Sequence, residues 1–286
     1  MNILLLEDEL ELQELFVLNL QDLGHTVRAT DNISNGLEIY FSDFQPEIII
    51  SDIQLKGLAR GTELISLLAQ KTLVTPDVIF MTGGAMITEE QSQLLGARKL
   101  FMKPFKFFEM AIEIQKVVLL KKTTEKLIRE LKQLSQCQSI GIRLQKGLDF
   151  PYYKYEGFAD SFIMREKSLL GTNECGKQFL ECMCGNVIEG RFDPKLPFFT
   201  PWGSFICNGT TDLIATTSPE ERQTNTRNYC NKAGYESVAL IPIKTTKNTF
   251  GLFQLNDFSK GKFTTEMIAD CEAMAAKFAF RLLQTF

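Results

Sequence analysis

The 286-residue sequence predicts two folded parts of different class: a five-stranded, doubly wound parallel α/β sheet, then a long connecting helix and an α+β domain with a mainly antiparallel sheet. Three observations lead there. Short apolar runs alternate with amphipathic stretches from Asn2 to Met102, a stripe of apolar residues at spacings of three and four follows, and beyond it two apolar strands flank the turn K-T-T-K-N.

The first part is organised around I-I-I-S-D-I-Q-L, Ile48 to Leu55. Three β-branched residues downstream of Pro46 read as a strand buried on both faces, and such a run should stay apolar to its end. It stops at Asp52 instead, at the C-terminal lip of the sheet, where open α/β sheets place their ligand crevice. Before it come a strand Asn2 to Leu6 ending at Glu7 and Asp8, a helix Leu10 to Leu23 closed by Gly24, a strand His25 to Ala29 and a helix Asn32 to Phe44. The central strand covers Glu47 to Ser51. After it come a helix Thr62 to Gln70, a strand Asp77 to Thr82, a helix Thr88 to Leu95 and a strand Lys99 to Met102.

Four strand ends therefore bring Glu7 and Asp8, Asp52, Thr82 and Lys103 to one edge. Carboxylates from two neighbouring strands, with a backbone carbonyl and waters, form the oxygen-rich octahedral set that Mg²⁺ prefers. The ion would relieve repulsion among the acids and hold an incoming phosphoryl oxygen. The Lys103 ammonium and the Thr82 hydroxyl would then meet an acyl phosphate on Asp52. Taken singly, each acid reads as a solvated loop residue and Lys103 as a surface lysine; their joint placement favours the functional reading.

In the motifs L-L-E-D-E, I-I-S-D-I-Q-L, F-M-T-G-G and F-M-K-P-F, in that order, the first 120 residues resemble the receiver domain of bacterial response regulators, a flavodoxin-like fold. The resemblance implies that Asp52 is the phosphoacceptor, that Glu7 and Asp8 bind the metal, and that Gln54 offers its backbone carbonyl to it. It further implies that Thr82 is the switch hydroxyl and that Lys103 senses the phosphoryl group ahead of a cis Pro104. Two positions depart from the family pattern. Leu100 stands where an aromatic is usual, and the loop after Asp52 is one residue longer and lacks its usual proline.

A helix is expected from residue 106 to 138, overlapping the end of the receiver. Met110, Val117, Leu120, Thr124, Leu127, Leu131 and Leu134 form its stripe, interrupted by Glu113. The expectation is a parallel two-stranded coil joining two copies, with packing of the helix on its own domain as the alternative.

Residues 140 to 286 read as α+β: a strand within Gly147 to Gly157, a helix Glu166 to Cys182, a strand Gly203 to Asn208 and a polar helix Ser218 to Ala233. The strands Tyr235 to Ile243 and Thr249 to Asn256 then form a hairpin, and a helix Thr264 to Leu283 ends the chain. The runs E-S-V-A-L-I-P-I, F-G-L-F-Q-L-N-D and F-T-T-E-M-I resemble the closing half of a GAF domain, which implies a small-molecule, tetrapyrrole or ligand-free dimer module and leaves the ligand open.

The sole histidine, His25, lies in the first part, so a histidine-ligated haem in the second would need a ligand from elsewhere. Cys182, Cys184, Cys207 and Cys230 could converge as thiolates on zinc or an iron-sulfur cluster, although C-x-C is no recognised knuckle and free cysteines are common in cores. The segment F-F-T-P-W-G-S around Trp202 reads as packing ahead of a lid. Seven cysteines, an odd number, argue against a secreted disulfide framework.

A net charge of −4, the absence of a Lys/Arg-rich block and the absence of a long apolar run point away from direct DNA binding and from a membrane. The expectation is a cytoplasmic response regulator, not an enzyme beyond assisting its own phosphorylation and dephosphorylation. A sensor histidine kinase or phosphotransfer protein would phosphorylate Asp52, controlling a GAF-type output or interaction domain in a homodimer. The alternative makes the GAF-like part the input, a ligand, redox or thiolate-metal sensor that modulates receiver phosphorylation.

Overall fold

A computed structural model describes residues 1–56, 60–84, 87–173, 175–218, 222 and 227–285. The chain divides into two compact units, Met1–Lys122 and Thr123–Phe286.

In the first unit five strands alternate with helices: β1 (Asn2–Leu6), α1 (Leu10–Asp22), β2 (Thr26–Thr30), α2 (Ile33–Phe41), β3 (Ile48–Asp52), α3 (Gly61–Lys71), β4 (Asp77–Thr82), α4 (Glu89–Leu94) and β5 (Lys99–Met102). The strands are all parallel, in the order β2-β1-β3-β4-β5. This is the flavodoxin-like doubly wound sheet that the alternation predicts. Successive side chains of a strand point to opposite faces, and both faces here are covered. Ile3, Leu5, Ile48, Ile50, Ile79 and Met81 pack with Phe16 and Leu20 of α1. Leu4, Leu6, Ile49, Val78, Phe80 and Leu100 pack with Leu64, Ile65 and Leu68 of α3.

Gly61 starts α3 directly above the end of β3. A Cβ there would lie 2.1 Å from Ser51 Oγ and 2.2 Å from the Asp52 carbonyl oxygen, so only glycine lets the helix come this close.

α5 (Phe107–Ser135) continues across the division between the units. Met110, Val117, Leu120, Thr124, Leu127 and Leu131 are exposed by no more than 8% and Leu134 is half-buried, so most of the stripe expected to zip two copies together is already covered within the chain. The 3.6-residue period identified the buried face correctly; it does not say which surface buries it. The exposed apolar residues of α5 are Phe108, Ile112 and Leu119, elsewhere on the helix.

The second unit adds β6 (Ser139–Leu144), β7 (Tyr152–Glu156), α6 (Asp160–Glu166), β8 (Leu170–Thr172), β9 (Gln178–Leu180), α7 (Cys182–Glu189), β10 (Phe205–Cys207), α8 (Thr210–Thr216), α9 (Tyr229–Lys232), β11 (Ser237–Lys244), β12 (Thr249–Asp257) and α10 (Thr265–Thr285). Its main sheet is antiparallel, in the order β10-β11-β12-β6-β7, with β8 and β9 as a separate hairpin. Along β12 the alternation divides two environments. Phe253 stacks on Phe278 of α10, while Gln254 points the other way, toward Tyr152 and Arg143.

Several expectations for this unit are corrected. β6 is not predicted, although Ile140, Ile142 and Leu144 alternate along it: its other face carries Gly141, where a Cβ would meet the Tyr152 ring at 2.6 Å, and a fully buried Arg143. The strand expected within Gly147 to Gly157 is confined to Tyr152–Glu156, after a turn in which Lys146 and Asp149 exchange backbone hydrogen bonds. The helix expected over Glu166 to Cys182 is instead the end of α6 and the β8–β9 hairpin. Asn173 shapes that turn by accepting from the Cys175 and Lys177 amides through its side chain. The polar helix expected over Ser218 to Ala233 is reduced to α9; residues 219–221 and 223–226 lie outside the described set.

Two predictions follow from the first unit. His25 is buried with neither ring nitrogen hydrogen-bonded, and burial, then the nearby N-terminal charge, lower its pKa below 6.5. Below that value the unfolded chain binds the proton more readily, so stability is full above about pH 6.5 and is lost as pH falls toward the folded pKa. Melting curves of the full chain should show the transition of residues 1–122 moving down between about pH 7.5 and 5.5, and His25→Gln should flatten that slope. Gly61→Ala should destabilise the same transition in urea by about 1–3 kcal/mol, because the Asp52 carbonyl and the buried Ser51 side chain resist the added methyl.

Candidate functional site

The C-terminal ends of β1, β3, β4 and β5 converge, and the side chains there are those the strand-end argument named. Carboxylate oxygens of Glu7, Asp8 and Asp52 lie within 4.8 Å of one another. Glu7 and Asp52 are buried and Asp8 is half-buried. Among the described residues this is the one group of three or more His, Cys, Asp or Glu side chains that could hold a metal ion.

Lys103 follows β5 and reaches back across the sheet edge. Its Nζ donates to Glu7 Oε2 at 2.6 Å and to Asp52 Oδ2 at 2.5 Å. Burial raises the Glu7 pKa, and the hydrogen bond from Lys103 only partly offsets it. On Lys103 burial opposes the charge, but the hydrogen bonds and attraction from Asp52 and Glu7 outweigh it and its pKa is raised. The ammonium is thus held charged between two acids. The Lys103–Pro104 peptide is cis, as the resemblance implied.

Backbone groups fix the acids. The Gln54 amide donates to Asp52 Oδ1 at 2.9 Å, which places Gln54 on the loop beside the carboxylate. The Ser51 hydroxyl donates to the Asp52 carbonyl at 2.8 Å, and the Gly61 amide to the Ile53 carbonyl at 3.1 Å. Gly61 and Ser51 position Asp52 and were not singled out in the sequence. The signal was a glycine opening a helix just after the acidic strand end. Residues 57–59 of the longer loop lie outside the described set.

Thr82 is fully buried at the end of β4, but its hydroxyl is engaged locally, donating to the Gly84 carbonyl at 2.9 Å and accepting from the Gly84 amide at 3.3 Å. Its backbone carbonyl accepts from the Lys103 amide at 2.7 Å. The structure therefore ties Thr82 to the Lys103 loop through backbone and leaves its hydroxyl turned into its own turn. Leu100 is buried in the apolar cluster beside α3.

The trio suits a divalent cation on donor chemistry. All three acids offer hard oxygens, and Glu7 is a buried acid whose charged form is disfavoured until a cation approaches. When bound, Mg²⁺ would be held by Glu7, Asp8 and Asp52 and would supply charge neutralisation for a phosphoryl oxygen.

In the second unit the four cysteines do not converge. Cys182, Cys184 and Cys230 line one cavity of about 60 Å³ between α7, α8, α9 and the β10–β11 edge; Cys207 does not line it. The Cys182 pKa is lowered to about 7, chiefly by the Cys184 thiol beside it, with the Arg227 and Met183 amides acting in the same direction. That of Cys184, the donor, is raised by the same bond and by burial. Gln254 Nε2 donates to Cys230 Sγ at 3.7 Å, and burial pushes the Cys230 pKa up to about 12. Trp202 packs beneath Lys244, whose Nζ lies 5.2 Å from the ring centre. No described helix is long and apolar enough to cross a membrane.

Comparison with known proteins bears on the first unit. No curated protein matches the chain. Among solved structures, the response regulator TrrA from Thermotoga maritima, in complex with Mg²⁺-BeF, is 25% identical with a TM-score of 0.36, covering 41% of this chain and 97% of that one. The non-phosphorylated HemR receiver domain from Leptospira biflexa is 25% identical with a TM-score of 0.36, covering 41% and 93%. The GAF domain region of a protein from Geobacter sulfurreducens is 18% identical with a TM-score of 0.41, covering 59% and 96%. The family model of the response regulator receiver domain matches residues 3–115, the stretch that carries the whole strand-end site, and this part of the chain is a response regulator receiver domain.

Proposed function

We propose that the protein is a phosphorylation-controlled response regulator in which Asp52 accepts a phosphoryl group from a sensor histidine kinase or phosphotransfer protein. Mg²⁺ is held by Glu7, Asp8 and Asp52 with the Gln54 carbonyl. The observation that carries the reading is the Lys103 ammonium bridging Glu7 and Asp52 beside a three-carboxylate cluster.

The geometry supports the chemistry that the resemblance assigns to each residue. The Asp52 carboxylate is the nucleophile, and phosphorylation replaces its anion by an acyl phosphate. Lys103, already charged and within reach, exchanges a carboxylate for a phosphoryl oxygen as partner. Thr82 must release Gly84 for its hydroxyl to meet the new phosphate, and that exchange is the proposed local switch. Leu100 is too small and too well buried to follow the hydroxyl as an aromatic would.

The antiparallel unit is the GAF-type output or interaction module in this proposal, and the chemistry of the first unit is confined to gaining and losing the phosphoryl group on Asp52. A second copy would pair through the exposed residues Phe108, Ile112 and Leu119, since the apolar stripe is occupied within the chain. Light scattering of Leu119→Glu should then give a smaller dimer fraction than wild type, with α-helix content unchanged.

Incubation of the full chain with a small phosphodonor and Mg²⁺ should add one phosphoryl group by intact mass, and none to Asp52→Asn or when the metal is chelated. Undiminished phosphorylation of Asp52→Asn would overturn the assignment.

A further inference from the structure

The thiol cavity in the second unit is independent of the phosphoryl chemistry. Three sulfurs face it, yet they do not form a metal-ligating group by the spacing that Glu7, Asp8 and Asp52 satisfy. A space of about 60 Å³ is ample for a molecule of two oxygens, such as a hydroperoxide.

The backbone is shaped around one sulfur. Cys182 has φ of 65°, in the left-handed region that a side-chain-bearing residue adopts only when its surroundings hold it there. It opens α7, and the Cys184 thiol, then the Arg227 and Met183 amides, favour its charged form. Arg227 is itself anchored, with Nε on Glu181 Oε2 at 2.7 Å and Nη1 on the Ser168 carbonyl at 2.9 Å. Donors aimed at a sulfur stabilise its thiolate. The nearest thiol, Cys184, is the one that donates to it. Cys182 and Cys230 are half-buried, and the cavity connects them with Cys184.

We infer that Cys182 and Cys184 are a redox thiol pair that reduces a small hydroperoxide admitted by the cavity and closes to an intramolecular disulfide. The Cys182 thiolate attacks one peroxide oxygen. The O–O bond breaks, Cys182 becomes a sulfenic acid, and the second oxygen leaves as hydroxide and takes up the proton lost on thiol ionisation. The Cys184 sulfur then attacks the Cys182 sulfur; its proton leaves with the sulfenic hydroxyl as water and the S–S bond forms. Two thiols are oxidised by two electrons in all, and hydrogen peroxide is reduced to two waters. Cys230 stays a thiol, held by Gln254 and by burial.

Both cysteines fall on one tryptic peptide, Gln178 to Arg191, whereas Cys230 falls on Asn228 to Lys232. The reduced full-length chain is treated with one equivalent of hydrogen peroxide, alkylated and mapped. Two of its seven free thiols should be lost, both on the 178–191 peptide, which should lack two hydrogens and carry no cross-link. With dimedone present, Cys184→Ser should accumulate the adduct on Cys182, and Cys182→Ser should show neither adduct nor disulfide on that peptide. Cys207→Ser should behave as wild type. The wild-type map alone decides the matter if a variant folds poorly. Oxidation of Cys175 or Cys271 with the 178–191 peptide fully alkylated overturns the proposal, as does a cross-link from that peptide to Cys230.

Discussion

Three carboxylates within 4.8 Å of one another, with Glu7 and Asp52 buried, are the constraint on which the first unit depends. At that separation each like-charged pair is repelled by about 3 kcal/mol at an effective dielectric of about 20, a sizeable share of a domain's net stability. Lys103 offsets this by reaching across from β5 to two acids on β1 and β3 at once. Any divalent cation entering the cluster competes with that ammonium for Glu7 and Asp52 oxygens. Metal affinity and the position of the lysine are therefore coupled.

The sheet makes this crowding affordable elsewhere. The inner strands β1, β3 and β4 carry buried apolar runs that lead to their C-terminal ends, and the two core clusters cover the sheet from either side. The acids and the lysine of the site stand where the ladder ends and the next loop begins. There backbone amides such as Gln54 N–H, and close contacts such as Gly61 over Ser51, hold the acids in place. A strained or charged group in mid-strand would have had no such partners.

The same logic explains what could be read in advance. The parallel sheet and all five charged or hydroxylic strand-end residues were legible because a break in an apolar run is visible in one dimension. Gly61 and Ser51 were not singled out, because their role is a clearance and a hydrogen bond that exist only once α3 sits on β3. In the second unit β6 hides a buried arginine, and β8 and β9 are three residues each, too short to show a period. The apolar stripe of α5 named the buried face and left its partner open. Of the four cysteines, Cys207 joins the others in the sequence only as a residue near an expected loop or strand end, and it does not line their cavity.

Arg143 shows why the second unit can carry a polar interior at all. The guanidinium is fully buried and lies 3.7 Å from the centre of the Tyr152 ring. It donates to the Phe150 carbonyl at 2.9 Å and to the Glu166 carbonyl at 2.5 Å, with Gln254 as a third partner. A buried cation without such partners is costly; with them it fixes the loops that supply the carbonyls. One of those loops ends α6 at Glu166, whose carboxylate faces Arg227 at 3.7 Å, and Arg227 in turn holds Glu181, the residue before Cys182. A chain of charge-assisted contacts thus runs from the middle of the antiparallel sheet to the left-handed turn at Cys182. The sulfur's position is set by the sheet rather than by the short helix it opens.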